Sequence, residues 1–313
     1  MTPGRISPAK SQPSPRLRHL DRLPAGWRWR RAGGLLILEA APLAKLKWLV
    51  HGFSTRIGGA SVLEGARVLN LGRTEWDSPP TVHTNRAAFL AALRAPSMRL
   101  VTNRQIHSDL ACVFSSAPAS QCRGDALLTR ARGLLLGVLT ADCVPILFVD
   151  TNRRAVAAVH AGWRGTVRRV TEKSLGRMRA EFGTRPRDVL AALGPAIGRC
   201  CYEVGIEVVQ KFHAQFADAR KWFDGPFDRL VADDSPNPLQ WLNMHPPGHQ
   251  PPPPTARLDL FAANRWQLRE AGVPAKNIFV APFCTSCRTD LFFSHRRELG
   301  RTGRLLGAIG IRS

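Results

Sequence analysis

Residues 134–165 read LLLGVLTADCVPILFVDTNRRAVAAVHAGWRG, and they decide the fold. Three apolar, β-branched runs at 134–140, 146–149 and 155–159 are parted by short polar breaks. That is the pattern of consecutive strands, not the three-to-four spacing of an amphipathic helix. Residues 166–182 then switch to helical spacing, with Val167, Val170, Leu175, Met178 and Phe182 apolar.

Working outward, strands are expected at 35–39, 48–53 and 100–106, and a helix at 81–95 with Phe89, Leu90 and Leu93 on its apolar side. Downstream the pattern gives a strand at 189–193, helices at 202–216 and 258–272, and strands at 278–282, 291–294 and 305–311. Alternating strands and helices predict an α/β (α+β) fold, a central mixed β-sheet layered with helices in a single catalytic domain. Residues 34–313 form that domain, with a Pro-rich insertion at about 225–255. Residues 1–33 carry Arg5, Lys10, Arg16, Arg18, Arg22, Arg28, Arg30 and Arg31 against Asp21 alone, and read as a disordered basic N-terminal extension.

The whole chain has 45 Lys and Arg against 23 Asp and Glu, a net +22. Such an excess favours nucleic acid or anionic ligands. Arginine spread among Ala, Gly and Pro also fits a compositional bias, with a site for an anion such as phosphate kept open. The sequence has no zinc-finger, helix-turn-helix or RNA-binding signature, so a basic nucleic-acid-binding protein is the non-enzymatic alternative and no specific nucleic acid is expected. There is no apolar run of about 18 residues, so no membrane span is expected. With no secretory pattern at the start, the chain is expected in the cytoplasm, as a monomer or homodimer, with its seven cysteines reduced rather than arranged in a disulfide framework.

Three residues stand at predicted strand ends: His107 after Gln105-Ile106, Cys143 between two apolar runs, and His160 ahead of Ala161-Gly162-Trp163. Strand ends gather at one sheet edge, where sites are built. Two imidazoles and a thiolate suit zinc or copper, and three protein ligands leave a fourth position open. Their spacing matches no short ligand motif. The plainer alternative makes the histidines hydrogen-bonded structural residues and Cys143 a small buried hydrophobe.

The wording of the segments adds to this. His51-Gly-Phe-Ser-Thr-Arg-Ile-Gly-Gly59, Asn70-Leu-Gly72, Gln105-Ile-His107, Gly124-Asp-Ala126, Ala141-Asp-Cys-Val-Pro145, Val159-His-Ala-Gly-Trp-Arg-Gly165, Cys200-Cys-Tyr-Glu-Val-Gly205 and Phe292-Phe-Ser-His-Arg-Arg297 follow one another in order. Together they resemble the laccase-domain (YfiH-like) family, once described as multicopper polyphenol oxidases and now as purine nucleoside phosphorylases. The resemblance runs over roughly residues 48–311. It implies metal ligands at His107, Cys143 and His160, with Zn2+ bound and Cu2+ as the competing ion. The implied reaction is phosphorolysis of adenosine, inosine and S-methyl-5'-thioadenosine, with adenosine deaminase activity beside it. The partners would be purine nucleosides and phosphate. Two departures, Ser108 where the family prefers Gly and His295 where an aromatic is commoner, bear on substrate preference.

Deamination needs a proton carrier, and Asp142 beside Cys143 is the candidate, alongside an equal reading of Asp142 as the cap of a turn. Phosphorolysis needs guanidinium groups, which grip phosphate in a bidentate manner. Arg56 in a Gly-flanked turn and Arg164 at a helix entrance are the candidates, each also readable as a surface charge. Ser54, Asn70, Ser294 and Arg296 are expected to line a nucleoside pocket. Cys284-x-x-Cys287 with Cys200-Cys201 offers donors for a second zinc, but vicinal cysteines are poor ligand spacing and no second metal is expected. A multicopper oxidase is disfavoured by nine His without a His-x-His pair, and by Met only at 1, 98, 178 and 244. A cysteine hydrolase acting on peptidoglycan precursors, with Cys143 activated by His160, is the other enzymatic alternative.

Overall fold

The computed structural model of the protein describes residues 23–231 and 255–313. Residues 1–22 of the extension expected over 1–33, and residues 232–254 of the Pro-rich insertion expected at about 225–255, lie outside the described residues.

Two six-stranded sheets form the frame. The first runs β1 (Trp27–Ala32), β2 (Leu35–Ala40), β3 (Leu49–Ser54), β17 (Leu305–Ile311), β9 (Leu134–Thr140), β6 (Arg99–Thr102). The second runs β16 (Ile278–Val280), β12 (Val189–Leu193), β10 (Val144–Asp150), β11 (Ala155–Ala161), β8 (Ala126–Thr129), β7 (Ala111–Phe114). Most pairs are antiparallel, while β6 with β9, β7 with β8 and β12 with β16 are parallel. A small sheet joins β13 (Glu203–Gly205), β15 (Thr255–Leu258) and β14 (Phe223–Asp224), and β4 (Ile57–Leu63) pairs with β5 (Ala66–Val68). The helices are α1 (Ala41–Ala44), α2 (Pro79–Ala92), α3 (Trp163–Val167), α4 (Val170–Phe182), α5 (Ile206–Gln215), α6 (Phe227–Val231) and α7 (Leu260–Glu270).

The fold is thus mixed α/β, and the expected central sheet is a face-to-face pair. Leu38, Phe53, Val138 and Ile309 of the first sheet share one core with Leu147, Val149, Val156 and Ala158 of the second. On the far side of the second sheet, Ile146, Phe148, Val159 and Leu193 pack with Leu175 and Met178 of α4, Val209 and Phe212 of α5, and Leu268 of α7. On the far side of the first, Ile37, Val50 and Leu135 pack with Phe89 and Leu90 of α2. Alternate residues of β10 therefore serve two different cores. A strand covered on both faces has no reason to alternate with polar residues, which is why residues 134–161 read as continuous apolar runs.

Several elements differ from expectation. The tail does not extend to residue 33: Trp27–Ala32 pairs antiparallel with Leu35–Ala40, anchored by the buried Trp27, while Arg28 and Arg30 both bond Glu39. Residues 291–294 are not a strand; the amides of Leu291 and Phe292 both donate to the Arg288 carbonyl. The turn buries the apolar run against Leu36, Val68 and Leu305. The helix expected over 166–182 breaks at Arg169, whose φ of +62° ends one helical segment and starts the next. Cys112 and Cys122 are joined by a disulfide, against the expectation of reduced thiols, because β8 lies parallel beside β7 and the chain leaving β7 must return past Cys122 to begin it. The other described cysteines are free.

Candidate metal centre

β9 belongs to the first sheet and β10 to the second, so the chain changes sheet across Ala141–Asp142–Cys143. Asp142 makes that corner with a φ of +93°, a conformation a non-glycine residue holds only when its surroundings fix it. They do: its carboxylate accepts from Thr285 Oγ1 at 2.6 Å and from the Arg296 amide at 2.7 Å, and its carbonyl accepts from the Ile197 amide at 2.9 Å. Cys143, the next residue, thereby stands between the two sheets. His160 faces it from β11, where it pairs with Pro145, and His107 comes in just past β6.

The donor atoms of His107, Cys143 and His160 lie within 4.8 Å of one another, and the two rings meet edge to face with centroids 5.0 Å apart. Gly162 closes the cradle: a Cβ there would lie 2.9 Å from the Cys143 sulfur and 3.1 Å from the His107 ring. Asp125, wholly buried, organises the cluster. One oxygen bonds His160 Nδ1 at 2.9 Å and the His107 amide at 3.0 Å. The other accepts from the Ser108 amide at 2.6 Å and hydroxyl at 2.7 Å. With Nδ1 taken, His160 presents Nε2 to the cluster, the usual carboxylate–histidine arrangement behind a metal ligand.

Burial works to raise a carboxyl or thiol pKa and to lower an imidazole's, and in each case here the partners prevail. Against burial, the hydrogen bonds from His160 and Ser108 hold the Asp125 carboxyl well below the usual carboxylate range. Against burial, the charge of His160 and the hydrogen bond from His107 bring the Cys143 thiol down to about 6. Against burial again, Cys143 and Asp125 lift His160 to about 9. Both shifts favour a thiolate at Cys143 beside an imidazolium at His160.

The cluster forms the floor of a cavity of about 480 Å3, also lined by Arg73, Arg86, Arg304, Asn103, Gln105, Thr140 and His295. Burial and the neighbouring Arg73 depress Arg86, while burial lowers Arg304 against the pull of Cys143 and Asp142. Among the described residues none of the three guanidiniums has a carboxylate partner. Asn103 Oδ1 and Thr140 Oγ1 are buried in this wall with no hydrogen-bond partner among the described residues, which marks them as groups open to a ligand or water.

The arginines expected to grip phosphate, Arg56 and Arg164, and the residues expected to line a nucleoside pocket are held elsewhere, and none of them lines this cavity. Arg56 bonds Glu298 at 2.8 Å and the Thr289 carbonyl at 2.9 Å, stacked on Phe293. Ser54 accepts from the Leu306 amide between strands, and Ser294 caps the turn to Arg297. Arg296 sends its side chain to the Glu203 carbonyl and over Tyr202, and Arg164 lies exposed on Trp163. Asn70 acts at one remove, accepting from the Arg304 amide at 2.9 Å while its amide group holds Gly72 and Asp77. Asp142 is also absent from the lining, with both oxygens engaged, so the turn-cap reading describes it. Asp125 lies in Gly124-Asp-Ala126, one of the segments that carry the resemblance, but the sequence alone assigned it no role. Arg86 in Asn85-Arg86 and Arg304 in Thr302-Gly-Arg304 also fall in segments of family wording, but neither they nor Arg73 were assigned a role from sequence.

Fold and cluster define a class: a mixed α/β protein with a thiolate–imidazole constellation where the chain crosses from one sheet to the other, beside an arginine-lined cavity. The chain belongs to the laccase-domain (YfiH-like) family, for residues 50–312 match the family described as "Multi-copper polyphenol oxidoreductase laccase". It is 35% identical over 292 residues to "Purine nucleoside phosphorylase YlmD" of Geobacillus stearothermophilus, covering 90% of this chain and 96% of that one. It is 34% identical over 284 residues to "Adenosine deaminase RL5" from an unknown prokaryotic organism, covering 88% and 99%. The crystal structure of a Bacillus licheniformis hypothetical protein YfiH superimposes with a TM-score of 0.75 at 29% identity, over 92% of this chain and all of that one.

Proposed function

We propose that the chain is a zinc-dependent purine nucleoside phosphorylase that also deaminates adenosine. The observation that carries this reading is one cavity that holds both a His107–Cys143–His160 donor set and three arginines with no carboxylate partner among the described residues. Tetrahedral zinc with nitrogen and sulfur ligands needs donor separations of about 3.5 Å, and these donors lie within 4.8 Å of one another. Bound there, zinc supplies Lewis acidity and brings water to reactivity near neutral pH, as attack at adenine C6 requires.

The protein's own groups divide the remaining work. Asp125 fixes the His160 tautomer and holds the His107 and Ser108 amides. Arg73, Arg86 and Arg304 take the phosphate, whose charge offsets their mutual repulsion. Asn103 Oδ1, Thr140 Oγ1 and the Gln105 side chain, itself bonded to both backbone groups of Leu139, fix the base and ribose. His295, the imidazole on the open side, takes over from Asp142 as proton carrier. Adenosine, inosine and S-methyl-5'-thioadenosine are the assigned substrates, and the cytoplasm the assigned compartment, for a monomer or homodimer. No helix among the described residues is long and apolar enough to cross a membrane.

One observation favours a second reading: the Cys143 thiol brought to about 6 beside His160 is also what a cysteine hydrolase needs. The deciding experiment measures zinc in the purified protein and the products from adenosine with and without phosphate. Adenine plus a pentose phosphate, formed only with phosphate, supports phosphorolysis; inosine without phosphate supports the deaminase. Turnover that survives complete zinc removal but stops on Cys143 alkylation sinks the metal reading in favour of the hydrolase.

A further inference from the structure

A second set of soft donors lies outside this cavity. The sulfurs of Cys200, Cys201, Cys284 and Cys287 all lie within 4.8 Å of one another. Cys287 is 3.5 Å from Cys200 and 3.4 Å from Cys201, and all four are free thiols. A disulfide would require about 2.05 Å. Zinc in a tetrahedron of four thiolates, at about 2.3 Å each, sets its sulfurs about 3.8 Å apart, close to the separations seen.

The backbone around the four is already folded as a ligand cradle. The amides of Cys201 and Tyr202 both donate to the Gly198 carbonyl at 3.0 Å, a turn tight enough to bring two vicinal cysteines to one centre. The Arg288 amide donates to the Cys284 carbonyl at 3.1 Å and curls Cys284 and Cys287 together in the same way. The Gly198 amide points at the Cys284 sulfur from 3.2 Å, the kind of N–H···S contact that steadies a thiolate on a metal. A Cβ on Gly198 would lie 3.2 Å from that of Cys284 and 3.3 Å from the Cys200 sulfur, so a side chain there would crowd the cradle.

We propose that these four cysteines bind one zinc ion in a closed, tetrathiolate structural site. Each thiol yields its proton to solvent as the ion binds, and no coordination position is left for water. An iron–sulfur cluster spreads its four cysteines over two or four irons, wider apart than these sulfurs stand. The ion would tie the loop after β12 to the loop after β16, joined already by the Thr285 amide and the Ala196 carbonyl. These loops bond Asp142 through Ile197 and Thr285, so the site braces the corner that carries Cys143.

The test uses the full chain carrying His107→Ala and Cys143→Ser, so that any metal bound reports the four cysteines alone. After zinc removal under reductant, cobalt(II) titration is expected to reach one equivalent, with the intense visible bands of tetrahedral cobalt–thiolate. Zinc should displace the cobalt and slow alkylation of the four thiols by about tenfold or more. Adding Cys200→Ser and Cys287→Ser should abolish the bands. If that variant does not fold, Cys200→Ser alone should shift them. Lack of a thiolate spectrum, alkylation indifferent to zinc, or a Cys200–Cys287 or Cys201–Cys287 disulfide in protein kept under reductant would overturn the site. Iron in its place in protein as purified would overturn the choice of zinc.

Discussion

The two donor clusters differ in what they leave free. His107, Cys143 and His160 offer three ligands, set beside a cavity and backed by the buried Asp125. The four cysteines offer a complete shell, and none of them lines the cavity beside the trio. An incomplete shell under a cavity leaves room for a reacting group, whereas a complete one holds loops together. Both share a wall, since Asp142 is gripped by Ile197 and Thr285, from the loops that the cysteines join.

The sharpest break between them would come from emptying each in turn. Cys143→Ser or His160→Ala should cut adenosine turnover about a thousandfold or more, the worth of several kcal/mol of lost electrophilic stabilisation. Steady-state rates at saturating phosphate check this, and a variant within tenfold of wild type would move the chemistry elsewhere. Asp125→Asn keeps the shape but disturbs the His160 tautomer; zinc affinity, measured by competition with a chelator, should fall 10- to 100-fold, about the usual cost of losing such a partner. Arg304→Ala or Arg86→Ala should lower kcat/KM for phosphate about 30-fold, the loss of about 2 kcal/mol of charge-assisted bonding, with a smaller effect on deamination. Equal losses in both reactions would deny these arginines a phosphate role.

The smallest effect concerns a histidine in neither cluster. His51 is buried in β3 and accepts from the Ala40 amide at 3.1 Å. Burial lowers it to about 4, against the pull of Glu39. Its neutral form belongs to the folded state, so the unfolded chain binds the extra proton, and stability falls as pH drops from about 6.5 towards 4. By pH 5.5 the loss should be about 1.4 kcal/mol. Denaturant unfolding of the zinc-free protein, compared with His51→Gln, checks whether this share of the slope disappears.

The frame was legible because strands buried on two sides must be apolar, and residues 134–161 hide little else. The strand at 27–32 was not, since its arginines outweigh its tryptophans in composition while Glu39 neutralises two of them in space. The ligand trio could be named through the family wording, because its members come from three strand ends far apart in order. Arg73, Arg86 and Arg304 could not: their meaning lies in lacking an acidic partner, which only packing reveals. The cysteine quartet was discounted on spacing, and it assembles because a turn at Gly198 undoes the handicap of adjacent residues.

The corner at Asp142 has one more consequence. Because a single peptide leaves one sheet and enters the other there, the separation of the two layers and the bite of the ligand trio are one coordinate. An ion in that trio would act as a rivet through the sandwich, and by mass action a concentration 100 times its Kd would add about 2.7 kcal/mol against unfolding. Conversely, a mutation that lets the layers slip, however far from the cavity, would loosen the grip on the ion.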